Sequence, residues 1–141
     1  MINIEEANTY FSNRLSSGDW DNADNAEKQA ALSEAIRVVN SLNYLGSPAT
    51  SDNQFPRAGD TSVPPNIKYA LCEIALELIK GFDLELEIEA LRLTGQDFGG
   101  LKANYSTQIP QYLTAGVPSY KAWMYLFPYL RGVETFNLAR G

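Results

Sequence analysis

Glu85, Glu87 and Glu89 alternate with Leu84, Leu86 and Ile88 in DLELEIEALRL, the densest set of groups in this sequence that could do chemistry. Carboxylates on one face of an extended segment can hold a cation or act as an acid–base pair. Three glutamates with no polar companion nearby in sequence are ordinarily a solvated face, and that is the reading taken for them. Two further oxygen-rich stretches, SDNQ and SGDWDNAD, lack the spacing and closing glutamate of a calcium loop. Cys72, the only cysteine, cannot form an intrachain disulfide, and its neighbours Ala70, Leu71, Ile74 and Ala75 suggest a small buried side chain. The absence of histidine excludes a Ser-His-Asp triad, a Cys-His pair and a histidine-ligated zinc. There is no GxxxxGKS/T loop, no GxGxxG after a strand, no CxxC and no nucleophile elbow. The expectation is a protein that is not an enzyme, with no catalytic residues, cofactor or metal.

The elements that would position any site are mostly helical. Asn3 is a plausible N-cap for a helix over 4–15 that aligns Ala7, Tyr10 and Phe11. Trp20 follows in a polar turn and is read as an anchor to the core. Asp24 with Glu27 three residues later opens a second helix, in which Leu32, Ala35, Ile36, Val39 and Leu42 form one stripe and Lys28, Glu34 and Arg37 a solvated face. About twenty residues rich in Gly, Pro, Ser, Asp and Asn then intervene, unusually long for a connection in a compact domain. Phe55, Pro56, Arg57 and Gly59 within it argue for an ordered loop, tethered to the core or to a neighbouring subunit.

Pro64-Pro65 fits the first turn of a third helix, Gly81 its end, and Ile67, Ala70, Leu71, Ile74, Ala75, Leu78 and Ile79 its stripe. Its outer positions are read as Glu73, Glu77 and Lys80. The alternation after Gly81 predicts a strand, and the turn QDFGG predicts a β-hairpin over about 84–106. Tyr120, Trp123, Met124 and Phe127 lie at helical spacing and are read as a core stripe ended by Pro128. The fold class is therefore mainly α: a small helical bundle with a long ordered loop and a small β-hairpin, a single domain over 1–132 with a C-terminal tail at 133–141.

The 141 residues suit one domain, and 45% hydrophobic with 20% charged residues is globular composition. No run reaches the roughly 20 apolar residues of a membrane span, and MINIEEANTY lacks signal-peptide character, so synthesis in the cytoplasm and no membrane partner are expected. The net charge of −6 divides unevenly, with −9 over residues 1–90 and +3 over 91–141. An acidic surface repels phosphates, and the basic residues here are scattered singly.

Several pieces carry a family resemblance: Tyr10-Phe11 with Arg14-Leu15, DWDNAD, AALSEAIRVVNSL, FPRAG, VPPNIKYALCEIALEL and PYLRG, spanning about residues 5–131. In this order they resemble a phage family often labelled DnaT-like single-stranded-DNA-binding, and more broadly the helical head-tail connector, or adaptor, proteins of tailed phages. The resemblance implies a virion protein at the head-tail junction, a homo-oligomeric ring of twelve subunits between the portal protein and a tail or nozzle protein. DNA would pass through such a ring without being read. In that setting Phe55, Pro56 and Arg57 would stabilise a subunit interface, and Phe136, Leu138 and Arg140 would form a tail docking on the portal. The alternative is the label's own activity, binding of single-stranded DNA, for which Tyr105, Tyr112, Tyr120, Lys121 and Trp123 supply aromatics and sparse positive charge.

Overall fold

A computed structural model describes residues 1–96 and 109–132. Seven helices run in chain order among the described residues: α1 Ile4–Ser12, α2 Gly18–Asn22, α3 Asn25–Asn40, α4 Pro65–Ile79, α5 Leu84–Gln96, α6 Gln111–Thr114 and α7 Tyr120–Leu126. A 3₁₀ turn at Phe127–Tyr129 follows α7, where Pro128 cannot continue an α-helical ladder.

Helix α4 is the axis of the bundle. An unbroken run from Ala70 to Leu76 is buried on every side, the pattern of a helix surrounded by others. Helices α1, α2, α3 and α7 pack around it. From α3 come Leu32, Ala35 and Val39, from α1 Ala7 and Phe11, and from α7 Ala122 and Leu126. Trp20 is fully buried in α2, stacked on Phe11 at 4.6 Å, with its indole N–H donating to Asn8 Oδ1 at 2.9 Å. It anchors the core as expected, from a short helix rather than a turn.

The helix starts follow the capping chemistry. Asn3 accepts from the Glu6 N–H at 2.8 Å and Glu6 returns the bond, while Asp24 accepts from the Glu27 N–H at 2.8 Å. Pro65 occupies the first turn of α4, and Gly81, at φ +91°, takes the left-handed conformation that closes its C-terminal end.

The connection over 41–64 is ordered by side chains. The Asn40 amide donates to Asn53 Oδ1 and accepts from the Gln54 N–H, both at 2.9 Å. Phe55 sinks into the core between Tyr44 and Tyr129, with ring centroids 4.7 and 5.7 Å away. The Leu45 N–H donates to Tyr129 O, and the Arg131 N–H to Asn43 O, each at 2.9 Å, so the segment after α7 closes against the start of the loop.

Three expectations are corrected. The strand of the proposed hairpin is helix: residues 84–96 form α5, whose start is bridged by a bond from the Leu86 N–H to Asp83 Oδ1. Leu84, Ile88 and Leu91 are partly covered at spacings of four and three while Leu86 is exposed, so the apolar period is helical. The other half of the proposed hairpin, through 106, lies outside the described residues. The α7 stripe also splits, because Trp123 is buried whereas Tyr120 and Met124 face outward. Finally, Glu73 is no outer position: it is 2% exposed on the central helix.

Candidate functional site

Helix α1 turns Ala7 and Phe11 into the core, which leaves Glu6 and Tyr10, four residues apart, along its flank, with Arg14 just beyond its C-terminal end. The first turns of α4 project Lys68 and Tyr69 beside them. Helix α7 adds Tyr120 with Met124 and Lys121 with Tyr125, two pairs four residues apart. Together these side chains line an open groove of about 1230 Å³, with Leu15 at its edge.

Four tyrosines line the groove. Tyr10 stacks on Tyr69 with centroids 5.3 Å apart and planes 28° apart, and Tyr69 meets Tyr125 edge-on at 5.6 Å. Tyr120 stands 59% exposed, with Tyr112 edge-on at 5.6 Å. Leu15 is 90% exposed and Met124 47%, so the groove holds most of the large apolar side chains that the described surface presents to water.

Its charges are largely spoken for. Lys68 forms an ion pair with Glu6, which holds the Glu6 carboxyl below its ordinary value. Arg14 grips the buried Glu73 with two bonds, Nε to Oε2 at 2.7 Å and Nη2 to Oε1 at 3.0 Å, and this contact raises the guanidinium further. The Tyr10 hydroxyl donates to the same Oε2 at 2.5 Å; burial first, and the Glu73 bond second, push the phenol well above its usual range. Lys121 is exposed and has no carboxylate partner within 4 Å among the described residues. Three cations and one acidic side chain thus line the groove of a chain whose net charge is −6.

Such a surface offers flat π-faces and a few cations. Cys72 touches it from below, is buried, and has its thiol pushed up to about 12 by desolvation, which leaves it a poor nucleophile. No cluster of three or more metal-binding side chains occurs among the described residues. Glu85, Glu87 and Glu89 sit on α5 as exposed residues, so the face that a strand would have given them does not exist.

Of the aromatics and charge read as a nucleic-acid surface, Tyr120 and Lys121 lie in the groove, and Tyr112 lies in an adjoining cleft of about 450 Å³ that shares both residues and Arg14 and adds Glu73, Glu77 and Glu87. Trp123 belongs to the core, and Tyr105 lies outside the described residues. Sequence reasoning missed Tyr69, Tyr125, Lys68 and Glu73. The only available signal was negative: Tyr69 and Tyr125 fall between the regular apolar positions of their helices.

None of Phe55, Pro56 and Arg57 lines this groove. Phe55 is buried in its own chain, whereas Arg57 is partly exposed, donating to Leu45 O at 3.1 Å, Gln54 O at 2.9 Å and Gln54 Oε1 at 2.8 Å. Its guanidinium lies 5.7 Å from the ring centres of both Tyr44 and Phe55. Phe136, Leu138 and Arg140 lie outside the described residues.

A family model described as "Putative DnaT-like ssDNA binding protein" matches residues 1–141. The chain belongs to this family. No curated protein and no solved structure matches it.

Proposed function

We propose that this DnaT-like protein binds single-stranded nucleic acid along the α1–α4–α7 groove, without catalysis or cofactor. The observation that carries the reading is the convergence of Tyr10, Tyr69, Tyr120 and Tyr125 on one open surface. Bases stack on such rings whatever their sequence, each contact contributing about 1–3 kcal/mol. The family description points to the same ligand. Lys121 is the cation best placed to meet a phosphate, since Lys68 and Arg14 already have partners. The acidic remainder of the chain opposes long-range attraction, so binding rests on stacking and stays modest.

Fluorescence anisotropy of a labelled oligothymidylate at low salt tests this. Salt-sensitive micromolar binding that weakens on Tyr120→Ala supports the reading, and no binding at low salt overturns it.

A second reading, the ring-forming connector of a tailed-phage virion, is favoured by a different observation. Leu15 and Met124 make the groove an exposed apolar patch of the kind that meets other proteins. In this reading twelve copies form a ring between portal and tail proteins, Pro56 and Arg57 border a neighbouring subunit, and the segment holding Phe136, Leu138 and Arg140 docks on the portal. Light scattering of the protein, alone and mixed with the portal, tests it: a ring or portal-bound collar is expected, and deletion after Gly132 should abolish attachment. A chain that stays monomeric and ignores the portal sinks the connector reading.

A further inference from the structure

We propose that Glu73 is the positioning residue of the groove, a buried carboxylate that fixes the α1 wall against which bases stack. The inference rests on the nucleic-acid reading for its ligand and on geometry alone for its mechanism.

A carboxylate 2% exposed on the central helix is costly unless its oxygens are satisfied. Here both are satisfied, and every donor comes from the α1 side: the Tyr10 hydroxyl, Arg14 Nε and Arg14 Nη2. The remaining Arg14 nitrogen, Nη1, donates to Leu15 O at 2.7 Å and Ser16 O at 3.0 Å. Ser16 sits at φ +61°, a left-handed conformation that non-glycine residues rarely adopt, so the chain reversal carrying Leu15 is held in a form that needs support. One carboxylate therefore determines two features of the groove. It points the Tyr10 ring toward Tyr69, and through Arg14 it holds Leu15 at the edge.

The position of Glu73 separates this role from direct contact. Tyr10, Arg14 and Leu15 line the groove, whereas Glu73 reaches only the adjoining cleft behind Arg14 and is 2% exposed there. It acts through them, so replacing it should disturb binding without removing any group that touches the ligand.

The test compares the full-length protein with Glu73→Gln, Tyr10→Phe and Arg14→Lys. Glu73→Gln keeps the size of the side chain but places an amide against three donors. Affinity for a labelled oligothymidylate should fall about tenfold, the equivalent of one displaced stacking contact. Methyl and aromatic NMR spectra, recorded without DNA, should show the Leu15 and Tyr10 signals displaced while those of Leu32 and Val39 on α3 hold. Wild-type affinity together with unmoved Leu15 and Tyr10 signals would overturn the proposal. If the parent protein binds no oligonucleotide, the nucleic-acid reading fails while the NMR comparison still decides whether Glu73 sets the wall. If Glu73→Gln does not fold, Tyr10→Phe and Arg14→Lys each remove one arm of the network: the first should shift Tyr69, the second Leu15. Unmoved signals in both would sink the proposal.

Discussion

At Cys72 and Glu73, neighbours on one helix, burial has opposite meanings. The thiol is a small apolar filler whose ionisation is suppressed, and at pH 8 it should not react with Ellman's reagent in the native protein. Full reaction on adding denaturant, and negligible reaction before it, is the expected result; rapid labelling of the folded chain would contradict its burial. The carboxylate beside it is instead a charged group brought inside because donors meet it there. Glu6 is a third case, a surface carboxyl lowered by Lys68. Because its folded value lies below its unfolded one, its contribution is complete above the ordinary glutamate value of about 4.3 and disappears as pH falls through the lower folded value. Thermal melts between pH 6 and pH 3 should therefore show a smaller acid loss for Lys68→Met than for the parent, by a few tenths of a kcal/mol as befits an exposed pair.

Helix by helix, local chemistry predicted the start of α1, α3 and α4, because caps and first-turn prolines act within a few residues. It failed at α5 for an equally local reason. Leu and Glu alternate there, which suits a strand, yet both are strong helix formers. An isolated strand must find a partner for its backbone, whereas a helix satisfies its own N–H and C=O groups. The long loop adds a non-local element, since its order comes from Asn40 at the end of α3 as well as from its own Phe55 and Arg57. Asn40→Ala should cost about 1–2 kcal/mol, read from urea melts, because it strands partly buried groups at Asn53 and Gln54. Limited proteolysis should then cut within 46–54 of the variant faster than in the parent; unchanged cleavage would show that Phe55 and Arg57 hold the loop alone.

Over the whole molecule, charge and shape pull apart. The chain is acidic, but the groove gathers Arg14, Lys68 and Lys121 against Glu6. With Arg14 and Lys68 already paired and Lys121 left to meet a phosphate, the logarithm of affinity should fall against the logarithm of salt with a slope of roughly −0.7, and Lys121→Ala should remove most of that slope. A flat salt response would mean that whatever occupies the groove is not a polyanion.

Composition and short-range pattern by themselves determined a mainly helical domain without histidine chemistry, the capped helices, the buried stripe of α4 and the inert cysteine. Each of these depends on residues within one or two turns of each other. Only the tertiary structure decided that Tyr10, Tyr69 and Tyr125 meet, that Tyr120 and Met124 face water, and that Glu73 is inside. Those outcomes depend on how α1 and α7 cross α4, bringing together residues about 60 apart such as Tyr10 and Glu73. A periodic pattern identifies which face of a helix is apolar. It does not say which side chains of other helices will stand beside that face, and here α1, α4 and α7 together made the groove.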